Sequence, residues 1–193
     1  MLLSLYLHFP FCKRKCSYCD FCSATADDAQ IDAYCQALQQ EIMLYAHEYA
    51  QYPVDTVFIG GGTPSIVPAA LLEKVLTTLR KRFTILPNAE FTSEANPGTL
   101  TDEWLDVAVQ AGVNRLSIGV QAIQAPLLQL LGRIHDYQQA QDALAMAREH
   151  GIINLNADAM FGLPGQTLED YLETLHAFVD EHVTHVSAYA LIV

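Results

Sequence analysis

Along the chain, short runs of apolar and β-branched residues alternate with longer stretches in which apolar residues recur at helical spacing. Short runs bounded by Gly and Pro read as strands, and longer periodic ones as helices with one buried face. The pattern predicts six strands, near residues 3–9, 54–59, 89–95, 114–120, 153–160 and 185–191. It places helices between them, near 28–50, 68–82, 101–111, 136–150 and 167–182. In the first helix Ile31, Leu38, Ile42 and Tyr45 share a face and are expected in the core. Thr101, three before Trp104, and Asp136, at the head of an Ala- and Gln-rich run, carry the side chains of helix N-caps.

Strands alternating with helices define an α/β fold of βα units around a parallel sheet. After the first five strands come the cysteine loop, "GGGTPS", "NPGT", "QAIQAP" and "FGLPGQT". In parallel βα architectures the loops at the carboxyl ends of strands converge, so these segments are expected to build one pocket. A partial (βα)6 TIM-like barrel satisfies this, with an open doubly wound sheet as the alternative. The last strand leads to Val193 with no helix after it, so we expect a truncated portion of a longer protein, or one that leans on a partner.

Composition narrows the picture. With 193 residues, 51% hydrophobic and 17% charged, the chain suits one domain, residues 1–193, with a substantial core. A net charge of -12 argues against nucleic acid or an anionic membrane as the main partner. The first residues, "MLLSLYLHFP", lack a basic segment and a cleavage site, and no apolar run approaches the ~20 residues that span a bilayer. A cytoplasmic setting, in which cysteines stay reduced, is the expectation.

The candidate chemistry lies in "CKRKCSYCDFCS", which holds four of the five cysteines. Cys12, Cys16 and Cys19 form C-x3-C-x2-C, and Cys22 follows. Zinc sites pair two separated Cys or His couples, and the second couple is missing here, although zinc stays open as the lesser alternative. Three thiolates on one loop suit a [4Fe-4S] cluster with one iron left free. Lys13, Arg14 and Lys15 are placed to offset the thiolate charge. Cys35 is expected on the core side of the first helix, and Cys22 reads as a small buried residue. "GGGTP" lacks the lysine of a phosphate-binding loop, and by itself is a tight turn.

The motifs "YLHFPFCKRKCSYCDF", "GGGTPS", "SEANPGT", "NRLSIGVQ", "LGRIHD" and "DAMFGLPGQT" resemble, in order, those of the radical S-adenosylmethionine (SAM) superfamily, in its oxygen-independent coproporphyrinogen III oxidase-like branch. The resemblance implies a [4Fe-4S] cluster on Cys12, Cys16 and Cys19, with SAM chelating the open iron. One electron from the cluster then cleaves the sulfonium to methionine and a 5'-deoxyadenosyl radical. It further implies SAM contacts from Tyr6, Tyr18, Gly61, Gly62, Thr63 and Glu94, and contacts to a second SAM from Gln121, Arg133 and Asp158. From its strand position alone, Tyr6 is equally a core aromatic.

Within the branch, the oxidase carries a fourth cysteine where this chain has Phe21, and an extension before its first strand. Both departures resemble the haem chaperone group, which binds haem and delivers it to target proteins. That group implies haem as a further ligand, a flavodoxin-like electron donor, membrane contact only through targets, and a C-terminal domain beyond this chain. The oxidase is the alternative, and a radical SAM enzyme for another substrate the third reading. None of the seven histidines, His8 and His135 included, is singled out as a haem ligand.

Overall fold

The computed structural model describes residues 1–191, so the expected end of the chain at Val193 lies outside the described residues. Six strands, β1 (Leu3–Phe9), β2 (Val54–Gly61), β3 (Ile85–Ala95), β4 (Arg115–Gln121), β5 (Asn154–Phe161) and β6 (His185–Ala190), form one sheet in sequence order. All five pairings are parallel. The connecting helices are α1 (Asp28–Tyr49), α2 (Ala69–Arg82), α3 (Asp102–Ala111), α4 (Ala125–Leu130), α5 (Tyr137–Glu149) and α6 (Leu168–Asp180). An order without reversal has no switch point, which sets aside the doubly wound alternative and gives the partial barrel. Right-handed crossovers between successive parallel neighbours place the helices on one side of such a sheet.

Alternation along each strand sorts the side chains into two faces. The outer face is apolar apart from Ser93: Leu7 aligns with Ile59, Ile59 with Ser93, Ser93 with Leu116 and Leu116 with Leu155, and all five are buried. The inner face is polar, with Ser117 in register between Glu94 and Asn156, and Asp158 beside Ser187. Helix entries follow the sequence. Thr101 accepts from the Trp104 N–H at 3.2 Å, and Asp27, Asp136 and Thr167 each form a capping box.

Three details depart from expectation. Tyr45 is 54% exposed, and α1 instead buries Ile31, Cys35, Leu38, Ile42 and Ala46, because its inward stripe drifts past Tyr45 to the next residue. β3 begins at Ile85, four residues early, since a register shift against β2 accommodates Pro87. The segment after β4 contains the short helix α4, whose Pro126 near the start looks like a loop signal but is compatible with a first helical turn. Among the described residues no helix is long and apolar enough to cross a membrane.

Candidate functional site

Residues 12–23 leave the end of β1 as a closed excursion. Phe11 and Ala24 form an isolated bridge at its base, with the Cys12 N–H donating to Ala24 and the Ala24 N–H to Pro10, at 3.0 and 2.9 Å. The loop is braced from within by Lys15, whose ammonium donates to the carbonyls of Phe21 and Ser23, both at 3.3 Å. From below, His8 Nε2 lies 2.9 Å from the Cys22 carbonyl, which can only accept, so the proton is on Nε2 and Nδ1 faces the Tyr6 hydroxyl. From the side, Ser17 donates to the Leu131 carbonyl at 3.3 Å, at the end of α4.

The "GGGT" segment runs beside the loop entrance. Gly62 N–H donates to Phe9 and Thr63 N–H to Phe11, at 2.8 and 2.7 Å, and a Cβ on Gly62 would collide with the Phe11 carbonyl oxygen. Gly61 has φ of +118°, and its N–H donates to Glu94 Oε2 at 2.9 Å. These two glycines thus have a packing role of their own: Gly62 lets the end of β2 lie against the entrance of the cysteine loop, and Gly61 leaves room for the His8 ring.

A cavity of about 690 Å³ opens at the carboxyl ends of the strands. Of the residues singled out in the sequence, it is lined by Cys12, Cys16, Tyr18, Cys19, Gly61, Gly62, Thr63, Glu94, Gln121, Arg133 and Asp158. Tyr6 is not among the lining residues. It is 60% exposed and stacks on Phe58 with ring centroids 6.0 Å apart, so it is not the buried core aromatic its strand position allowed. Cys22 is exposed rather than buried and also does not line the cavity, whereas Cys35 is fully buried, its thiol pushed up to about 11 by burial. Phe21 lines the cavity and is 64% exposed.

Burial shapes the electrostatics of the wall. Glu94 is pushed above its usual range by desolvation, with the Gly61 N–H pulling the other way. Asp158 is raised by the same cause, opposed by hydrogen bonds from Asn156, Ser187 and Ser117. Tyr18 is pushed up to about 12, chiefly by burial. Gln121 is buried with φ of +75°, an unusual conformation for a residue other than glycine, and accepts from the Tyr189 hydroxyl at 2.6 Å. A register shift between β4 and β5 at this point aims Gln121 into the cavity.

Arg133 is the cation that reaches a cysteine sulfur, from 117 positions along the chain: Nη1 lies 3.7 Å from Cys16 Sγ. Its Nη2 donates to Asn96 Oδ1 at 2.7 Å and to the Gly119 carbonyl. Asn96 Nδ2 donates to Thr63 Oγ1 at 2.8 Å, and Thr63 Oγ1 donates to Cys12 Sγ at 3.6 Å. Asn96, not singled out from sequence, is therefore part of the site. Its signal was the alternation of β3 carried one step beyond the strand, which puts it on the same face as Thr92 and Glu94.

The donor set fits a cluster. Three free thiols share one loop and one cavity, and Arg133 Nε is a buried donor without a partner in the same wall. Among the described residues no three His, Cys, Asp or Glu side chains converge on a single-ion site. A cluster makes a different demand, since its irons take one thiolate each.

A βα partial barrel with this loop at its mouth is the architecture of a radical SAM core. Over residues 6–178 the chain matches the radical SAM superfamily, and it belongs to that superfamily. Among curated proteins it is 43% identical to the "Heme chaperone HemW" of Escherichia coli K12, over 98% of this chain and 50% of that protein. It is 39% identical to the protein of the same name from Haemophilus influenzae, over 98% of this chain and 51% of that one. The chain thus spans about half the length of the curated relatives it matches. Among solved structures, the coproporphyrinogen III oxidase HemN of Escherichia coli, a radical SAM enzyme, superposes with a TM-score of 0.92 at 32% identity, over 99% of this chain and 44% of that one. Superfamily membership implies a [4Fe-4S] cluster and SAM.

Proposed function

We propose that this chain is the cluster- and SAM-binding part of a haem chaperone, which takes up haem and passes it to target proteins. The observation that carries the reading is the likeness to the haem chaperone HemW, 43% identical in Escherichia coli over 98% of this chain. The loop supports it, because Phe21 stands at the cavity where the oxidase pattern has a fourth thiol.

Cys12, Cys16 and Cys19 would hold the [4Fe-4S] cluster, and the cavity would receive SAM beside it. When bound, the pair supplies one-electron reductive cleavage of the SAM sulfonium. The protein's share is orientation and exclusion of water. Glu94, with Oε2 fixed by Gly61, is a partly desolvated carboxylate, and such a group gains from an ammonium partner. Gly61, Gly62 and Thr63 keep the wall thin next to the loop, while Tyr18 contributes an aromatic surface. Tyr6 acts on this site through His8. Asp158 and Gln121 bound the far side, where a second SAM is to be tested. We place the protein in the cytoplasm, with a flavodoxin-like donor as the source of electrons.

The second reading, coproporphyrinogen oxidation, draws on the HemN superposition, with its TM-score of 0.92. Anaerobic reconstitution of wild type and Cys16→Ala, followed by iron and sulfide analysis and electron paramagnetic resonance, tests the site. An unchanged cluster in the variant overturns it. Haem titration of the loaded protein, and incubation with SAM and coproporphyrinogen III, then separate the functions. Stoichiometric haem uptake without turnover supports the chaperone, and formation of protoporphyrinogen IX overturns it in favour of the oxidase.

A further inference from the structure

We infer that Thr63, Asn96 and Arg133 form a polarised hydrogen-bond relay that donates to the sulfurs of Cys12 and Cys16, with Asn96 as the positioning residue that orients both donors. The inference rests on the cluster reading of the cysteine loop.

The direction of every bond follows from one fact: a guanidinium has donors only. Arg133 Nη2, 2.7 Å from Asn96, must meet the carboxamide oxygen. The amide nitrogen of Asn96 therefore faces Thr63, 2.8 Å away, and donates to its hydroxyl oxygen. With a lone pair of Thr63 so occupied, its single proton is directed to Cys12 Sγ at 3.6 Å. At the other end, anchoring Nη2 on Asn96 leaves Nη1 facing Cys16 Sγ at 3.7 Å. Asn96 touches neither sulfur, yet it fixes both contacts.

Two further observations show that space and backbone are set for this arrangement. The Asn96 backbone is held on both sides, its N–H donating to Ser65 Oγ at 3.3 Å and its carbonyl accepting from Thr99 at 2.6 Å. Gly119 supplies the room: a Cβ there would lie 2.7 Å from Asn96 Oδ1 and 3.1 Å from Arg133 Nη2. Donors aimed at thiolate sulfur stabilise the more negative, reduced form of a cluster and raise its potential. Among the described residues no hydrogen bond reaches Cys19 Sγ, so the relay distinguishes two of the three ligands.

The test is an anaerobic redox titration of the reconstituted full chain, followed by electron paramagnetic resonance, with iron content and the thermal midpoint of the unloaded protein measured alongside. Thr63→Val, isosteric but without the proton, is expected to make the midpoint potential more negative, and Thr63→Ser to restore the wild-type value. Asn96→Ala is expected to shift it in the same direction and further, with Thr63→Val adding nothing to that background. Gly119→Ala, which crowds the carboxamide, is expected to mimic Asn96→Ala in part. A loaded wild type whose potential is unmoved in Thr63→Val and Asn96→Ala overturns the relay alone, as do additive shifts or a loss of thermal stability and iron with no change in potential. A wild type that takes up no cluster overturns the relay together with the reading beneath it.

Discussion

Phe91 and Glu94 lie three residues apart on β3, one on each face of the sheet. Phe91 points outward, is 1% exposed and packs in the helix-covered core. Glu94 points inward to the cavity, where burial makes its charge costly. The same period-two alternation serves both faces: one side fills with hydrocarbon and the other gathers polar groups that hydrogen-bond each other or await a ligand. The difference teaches that stability and ligand chemistry are carried by different residues of the same strands, so substitutions should separate them.

The largest effect is expected at the loop. Cys16→Ala removes one of the three proposed cluster ligands, so reconstituted iron and sulfide are expected to be lost while urea unfolding of the unloaded protein moves by less than about 1 kcal/mol. A large loss of unloaded stability would break the separation from the site side. On the outer face, Phe91→Ala leaves a cavity and costs about 3–5 kcal/mol in urea unfolding. An effect below about 1 kcal/mol would show that this face is not the one that holds the fold.

Next in size is a pH effect in the loop between α4 and α5. His135 is buried and donates from Nε2 to the Val120 carbonyl, and desolvation holds its pKa down to about 4 from 6.5. A depressed pKa means that the unfolded chain takes up the proton first, so this contribution is present above pH 6.5 and is lost as pH falls toward 4. At about 1.4 kcal/mol per unit the loss is about 3 kcal/mol, and His135→Gln, which keeps a donor, is expected to abolish it. Parallel pH profiles for wild type and variant would sink this prediction.

The smallest effect is expected at Glu94, with the opposite sign. Its raised pKa means that its contribution is present below 4.5 and is lost as pH rises above it. Glu94→Gln is therefore expected to stabilise the unloaded protein at pH 7 by about 1 kcal/mol, while weakening SAM binding measured by calorimetry. Destabilisation at pH 7 would instead mean that the carboxylate is held for structure, through its bond to Gly61.

Much of this was legible in the sequence. The caps at Thr101 and Asp136 and the meeting of strand-end loops at one cavity follow from local pattern and from the rule that such loops converge. Gly61, Glu94, Gln121 and Asp158, by contrast, were picked out by the family resemblance and do line that cavity. What escaped was of another kind. Tyr45 and Cys22 were misplaced because spacing alone does not say where a stripe turns or which way a loop residue faces. Asn96 was overlooked because its partners are 33 and 37 positions away.

By itself, then, the sequence determined the class of all six strands and of every helix but α4, and the spacing of three thiols on one loop, since these depend on neighbours within a few residues, while the order of the strands in the sheet was settled by the structure. Only the tertiary structure decided which thiols meet donors, that Gln121 takes a left-handed turn into the cavity, and that Asn96 joins Thr63 to Arg133. Those contacts join distant segments, and their distances are set by how loops pack on the ends of a sheet, which no local pattern encodes.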